Sequence, residues 1–370
     1  VKTTFVEVAR DGAARVGRVH TARGSFATPC FMPVGTRGAV RHLSAGDLEM
    51  LGAEVVLGNT YHLMLRPGAD TVRALGGLHG FTDWDGHILT DSGGYQIFSL
   101  EPKVDDEGAV FKSVYDGSKH RLTPEGAVDV QLALGSDIQM VLDVCPPADA
   151  PSTVLRAAVD RTALWAARGR DRFLASGDDV LARHHQFGIV QGGTDHAMRR
   201  ESAERIMAVG FDGYAVGGLS VGEPREQMLP ALLEVTAMLP ADQPRYFMGL
   251  GDPIGIVEVV ALGVDMFDCV LPTRLARHGT LLTTDGRINL RRAEYARDDN
   301  PIDAKLLGSP VARYSRGYLR HLLSVDEPTA GRLLTLHNLW WLLSFIDALR
   351  AAISAGTFAE FRAETHAIWG

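Results

Sequence analysis

The chain has 370 residues, of which 46% are apolar and 22% charged, a balance that excludes disordered and fibrous classes. At about 150 residues per domain, this length suits two or three units or one large α/β barrel with an appendage. With 37 Lys+Arg against 45 Asp+Glu the net charge is −8, so a nucleic-acid partner would have to be met by a local basic patch, not by a global field.

The first residues, Val1 to Glu7, gain charge at once and carry no apolar leader with a small-residue cleavage site; a cytoplasmic protein is expected. Cys30, Cys145 and Cys269 are too far apart in sequence for a disulfide framework or a Cys-x-x-Cys knuckle. From about residue 50 to 270 one pattern recurs: a short apolar run, a turn containing Gly or Asp, then a helical stretch. The runs are Glu54 to Leu57, His87 to Thr90, Ile138 to Leu142, Phe187 to Val190, Tyr214 to Val216, Tyr246 to Met248 and Met266 to Phe267. With the N-terminal sheet region they make about eight strands, which predicts parallel β/α units. The helices between them carry end signals: Thr123-Pro124 and Gly135, Thr194-Asp195 and Gly210, Asp252-Pro253 and Gly263.

Each run is followed by a polar or glycine residue: Asn59, Asp91, Asp143, Gln191, Gly217-Gly218, Gly249 and Asp268. In a (β/α)8 barrel the C-terminal ends of the strands share one face, where catalytic groups collect. After Pro272 the pattern changes to a Gly-rich hairpin from Gly279 to Arg287, an arginine-rich loop and terminal helices. Residues 273 to 320 hold ten Lys/Arg and five Asp/Glu. Arg274, Arg277, Arg291, Arg292, Arg313, Arg316 and Arg320, with Tyr295, Tyr314 and Tyr318 among them, suit phosphate contacts and base stacking. The apolar stretch from Leu333 to Ile346 is too short for a membrane span.

Asp91 and Asp268 would face the same mouth, and paired carboxylates serve glycosyl chemistry: one engages an oxocarbenium-like anomeric carbon while the other moves the leaving group's proton. Asp143, Gln191 and Gly218 add a carboxylate, a carboxamide and a free backbone able to discriminate the edge of a purine-like base, and Tyr95 could stack on its face. Gly192-Gly193 and Gly217-Gly218 fit neither a P-loop nor Gly-x-Gly-x-x-Gly, so no nucleotide cofactor is expected.

At these residues the chain resembles the tRNA-guanine transglycosylase (queuine tRNA-ribosyltransferase) family in its bacterial form. The likeness runs through Gly58-Asn59-Thr60-Tyr61-His62-Leu63, Thr90 to Gln96, Phe187 to Gly193, Gly217 to Glu223, Tyr246 to Gly251 and Phe267 to Arg277. It implies an α/β fold, an irregular (β/α)8 TIM barrel with an inserted C-terminal subdomain, divided as 1–290 for the barrel, 291–334 for the insert and 335–370 for closing helices. It also implies a homodimer that exchanges the wobble guanine of GUN-anticodon tRNAs for a 7-deazaguanine, with no membrane partner. Asp268 would be the nucleophile and Asp91 the acid/base group. Ser92, Gly93, Gly94, Tyr95, Asp143, Gln191, Gly218, Leu219, Glu223 and Met248 would serve the base, with Tyr95 and Met248 sandwiching it and Glu223 adjusting a nearby peptide. Gly249, Leu250, Gly251, Thr273, Arg274, Leu275, Ala276 and Arg277 would meet the RNA, and Cys145 and Val221 look like the bacterial form of the pocket.

The sequence departs from the family in one large way. The family's structural zinc site uses Cys-x-Cys-x-x-Cys before Tyr-Ser-Arg, plus a later His. Here Tyr314-Ser315-Arg316 is kept, but Leu306, Gly308 and Val311 replace the cysteines and only His337 remains. A metal-free insert held by apolar packing of Leu306, Leu307, Val311 and the Trp340-Trp341 helix is therefore expected, with no cofactor. Val144 replaces a family glutamate between Asp143 and Cys145. The competing expectations are a non-catalytic RNA-binding paralogue or partner subunit, and a relative acting on DNA or another RNA.

Overall fold

The computed structural model describes residues 5–370; Val1 to Thr4, the start of the segment considered for a leader, lie outside the described residues. The chain opens with an antiparallel sheet of β1 (Phe5–Asp11), β2 (Ala14–Thr21) and β3 (Gly24–Thr28). β4 (Cys30–Gly35), β5 (Val55–Gly58) and β6 (His87–Thr90) then begin the barrel. A second antiparallel sheet follows, of β7 (Lys103–Asp105), β8 (Gly108–Lys112) and β9 (Lys119–Leu122). β10 (Ile138–Met140), β11 (His185–Val190), β12 (Gly213–Val216), β13 (Arg245–Phe247) and β14 (Met266–Cys269) return to the barrel, and β15 (Thr280–Thr283) and β16 (Gly286–Asn289) form the hairpin.

The eight barrel strands are parallel and close as β4-β5-β6-β10-β11-β12-β13-β14. The seven expected runs are β5, β6 and β10 to β14, and the eighth strand is β4, buried at every residue. The helix ends also agree with their signals. Thr123 Oγ1 accepts from Gly126 N at 3.0 Å, Asp195 Oδ1 from Met198 N at 2.9 Å and Asp252 Oδ1 from Gly255 N at 2.8 Å, each satisfying an N-terminal amide.

Aspartates staple the foot of the barrel at alternate strand junctions. Asp137, Asp212 and Asp265 directly precede β10, β12 and β14. Each accepts a backbone N–H from the neighbouring strand: Ile88 at 2.8 Å, Gln186 at 3.0 Å and Arg245 at 2.7 Å. Each also meets a cation, Arg23 for Asp137, Arg170 for Asp212 and Arg15 for Asp265. Arg15, wholly buried on β2, ties the N-terminal sheet to the barrel through Asp265 at 2.8 and 2.7 Å and through the carbonyls of Ala241 and Gln243.

Beyond the hairpin, the chain makes a 3-10 turn Ala293–Arg297, a bridge between Pro301 and Ser315, and helix Arg316–Ser324. The long helix Pro328–Ala355 packs on the hairpin and on β1, β2 and β4. The residues at the family's zinc positions do not fit a metal. Val311 is buried, Leu306 packs against the core, and Gly308 lies under Trp340, whose ring stands 3.0 Å from where a Cβ would sit. His337 is buried with Nε2 2.8 Å from the Leu282 carbonyl, and burial holds its pKa down at about 4, so Nε2–H donates from a neutral ring.

The expected apolar packing needs one correction. Leu307 is 85% exposed and contributes only its carbonyl, which accepts from Trp340 Nε1 at 3.2 Å. A polar clasp does the rest: Asp303 accepts from Thr284 N and Oγ1, and Arg316 donates to Asp298 and the Ile302 carbonyl. The lobe should therefore fold without metal. Elemental analysis of the purified chain is expected to find no stoichiometric zinc, and EDTA to leave its thermal midpoint unchanged; a chelator-induced drop would contradict this packing. Among the described residues no helix is long and apolar enough to cross a membrane.

Candidate active site

The C-terminal ends of the barrel strands open into a cavity of about 570 Å3. This is within the range of small-molecule sites. Asp91, Asp143, Gly218, Met248 and Asp268 all line it.

Asp91, directly after β6, is buried and heavily bonded. Oδ1 accepts from Thr60 N at 2.8 Å and Gly93 N at 3.1 Å, and Oδ2 accepts from Asn59 Nδ2. Burial outweighs these donors and pushes its pKa up to about 6. Asn59 and Thr60 come from the end of β5 and the helix turn after it, so two adjacent strands build one acid.

Asp268, on β14, receives both of its donors on one oxygen: Tyr246 Oη at 2.6 Å and Gly249 N at 2.9 Å reach Oδ1. Among the described residues no donor reaches Oδ2. Burial also raises this carboxyl's pKa.

The third carboxylate, Asp143, is fixed by Gln191 Nε2 at 2.7 Å and Ser92 Oγ at 3.2 Å. Burial, with the Asp91 charge nearby as a lesser cause, raises its pKa to about 6. Gln191 is wholly buried and its Oε1 has no partner among the described residues. Gly218 adopts a left-handed φ of +64°, and a Cβ there would stand 2.3 Å from Gln191 Oε1, so only glycine permits this approach. Gly94 is similarly tight, since its Cβ would meet the Asp143 carbonyl at 2.9 Å. Glu223 accepts from the backbone N–H groups of Ser220 and Val221, clasping the peptide that follows Leu219. Tyr95 stands exposed at the rim, and Met248, Cys145 and Val221 line the cavity wall.

The RNA-facing candidates separate into two groups. Gly249, Leu250 and Gly251 line the cavity itself, with Gly249 bonded to Asp268. In helix Leu271–Arg277 the side chains of Thr273 and Ala276 are buried and Leu275 packs on the core, whereas Arg274 is exposed and Arg277 half-buried.

Two positions that brace the cavity escape a reading of motifs. Arg199, buried in helix His196–Val209, donates to the carbonyls of Val190, Gly193, Gly217 and Gly218. It remains cationic at neutral pH although burial lowers its pKa to about 9, and it holds the two glycine loops in register. Tyr246 orients Asp268 from the neighbouring strand. The signal available for both was position: Arg199 lies in the first turn of the helix that follows Gln191, and Tyr246 opens a run that ends beside the cavity.

A family model described as queuine tRNA-ribosyltransferase matches residues 11–370. The chain is 49% identical over 368 residues to the queuine tRNA-ribosyltransferase of Nitratidesulfovibrio vulgaris strain DP4, covering 99% of this chain and 97% of that one. It is 50% identical to the enzyme of that description from Symbiobacterium thermophilum, covering 95% and 87%, and 48% identical to that of Oceanobacillus iheyensis, covering 97% and 94%.

Proposed function

The chain belongs to the queuine tRNA-ribosyltransferase family, and from that premise we propose that it exchanges the wobble guanine of tRNAs with GUN anticodons for a 7-deazaguanine. The observation that carries this reading is the pairing of a nucleophile-like Asp268 with an acid/base Asp91 over one base-sized cavity. The enzyme is a pentosyltransferase that works as a homodimer in the cytoplasm, where its tRNA substrate resides.

In the first half-reaction Asp268 Oδ2 bonds to the ribose C1′ while the bond from C1′ to the guanine N9 breaks. The departing electron pair stays on the base, and protonated Asp91 delivers the proton that neutralises it. The incoming deazaguanine then gives its ring N–H proton to the Asp91 carboxylate, its nitrogen bonds to C1′, and the ester to Asp268 opens. A pKa of about 6 keeps both forms of Asp91 accessible near neutrality, which this two-way traffic requires. The Asp143 carboxylate would accept from the N–H edge of guanine, and Gln191 and the Gly218 N–H would face its carbonyl.

The experiment is incorporation of labelled guanine into an unmodified GUN-anticodon tRNA, followed across pH. Incorporation should depend on the wobble guanine; none, by a folded chain that still binds tRNA, would sink the reading. The pH profile has a definite sign. Asp143 has a raised pKa of about 6, so the accepting carboxylate prevails above that value and is lost below it. The KM for guanine is expected to climb about tenfold for each pH unit below 6, with a flat profile in Asp143→Asn.

A further inference from the structure

The solvent-accessible arginines of helices Ser152–Leu174 and His196–Val209, on the barrel's outer surface, are matched to acids. Arg156 pairs with Glu201, Arg161 with Asp106, Arg168 with Glu125, Arg172 with Asp129 and Arg205 with Asp160. Five arginines around the mouth lack such a match. Arg37 and Arg41 follow β4, Arg66 follows β5, and Arg274 and Arg277 follow β14. Among the described residues none of these five has a carboxylate within 4.0 Å, although Arg277 shares the field of Arg41 and Arg274. These three strands are neighbours in the barrel, so the unpaired cations form an arc on one side of the cavity, in a chain whose net charge is −8.

One end of this arc is built. The guanidinium of Arg66 lies 4.6 Å from the centroid of the Tyr115 ring and that of Arg37 lies 5.5 Å from it. Tyr115 Oη is 2.9 Å from Nδ1 of His62, which lines the cavity. The neighbouring acid, Asp116, is engaged by Ser118 through its hydroxyl at 2.6 Å and its N–H at 3.1 Å. Two exposed guanidiniums on one ring repel each other, and an anion reaching both would relieve that repulsion. A phosphate suits this geometry because a guanidinium donates in a fork that matches its oxygens.

We propose that Arg37, Tyr115 and Arg66 form a second RNA-binding pole, which grips a backbone phosphate of the anticodon loop away from Arg274 and Arg277 along the rim. The inference rests on the tRNA reading above and deepens it. Gripping the strand at two points would hold the exchanged nucleotide over the cavity between them, with base identity still judged inside.

The test is titration of an anticodon stem-loop RNA with the full chain over a range of salt, comparing wild type with the Arg37→Ala/Arg66→Ala double variant. Each phosphate contact contributes about 0.7 to the slope of log affinity against log salt for single strands. The double variant is expected to bind RNA about tenfold more weakly with a slope lower by about 0.7, while free guanine binds as before. Arg66→Lys should keep most of the slope, and Arg156→Ala/Arg205→Ala, paired surface arginines, should change nothing. A double variant with wild-type affinity and slope would overturn this inference alone. A wild-type chain that neither binds the RNA nor exchanges guanine would overturn the functional reading, and this inference with it.

Discussion

Asp268→Asn is expected to lose base exchange by about 10⁴-fold or more while the protein keeps its fold. The substitution is nearly isosteric. An asparagine carbonyl oxygen can still accept from Tyr246 Oη and Gly249 N, which now hold Oδ1 at 2.6 and 2.9 Å. What disappears is the anionic Oδ2 that would bond to C1′. Removing it takes away the covalent route and leaves only the proton chemistry of Asp91 and the base pocket. The loss corresponds to about 5 kcal/mol or more of transition-state stabilisation. Two measurements decide it together. Wild type incubated with tRNA and quenched by denaturant should carry a protein-linked RNA band on a denaturing gel, and Asp268→Asn should not, although its thermal midpoint and RNA affinity are retained. A variant that still forms the adduct would move the nucleophile to another residue, whereas one that exchanges at the wild-type rate without an adduct would replace the double displacement with a direct one.

The contrast between what the sequence announces and what it conceals has a physical basis. Asp91, Asp143, Gln191 and Asp268 are legible because each ends an apolar run, and a parallel barrel gathers all such ends on one face. Capped helices are legible for a similarly local reason, since Asp195 and Gly210 act within a turn of themselves. Sheet β7-β8-β9 is not, because β7 is only Lys-Val-Asp and three residues cannot display an alternation. The staples at the foot of the barrel are also hidden. Arg15 and Asp265 are 250 positions apart, and nothing local distinguishes them from surface charges. Leu307 fails in the opposite direction: an apolar residue in an apolar neighbourhood is expected inside, but its backbone is engaged by Trp340 Nε1 and its side chain is turned to solvent. The Arg37–Tyr115–Arg66 contact unites three separate loops that only the closed barrel brings together.

The largest stability effect is expected at the hidden foot of β14. Asp265→Ala removes a fully buried carboxylate and strands Arg15, whose side chain has no solvent exposure. The guanidinium keeps its bonds to the Ala241 and Gln243 carbonyls but loses its counter-charge, and the Arg245 N–H loses its acceptor. Breaking a buried pair on one side costs about 3–5 kcal/mol, a large share of the roughly 5–15 kcal/mol that holds a typical domain together. Urea denaturation should show the midpoint falling accordingly; a shift below about 1 kcal/mol would mean that Arg15 finds water or another acceptor. A companion variant, Arg15→Met/Asp265→Leu, separates the penalty of a stranded charge from the worth of the pair. It should recover most of the lost stability, because an apolar pair of similar volume needs no counter-charge. Asp265 directly precedes β14 and stands three residues before Asp268. If the staple also sets the register of β14 against β4, folded Asp265→Ala protein will show a lower kcat, and the apolar double variant, which restores stability without restoring the bond to Arg245 N, will not fully recover it.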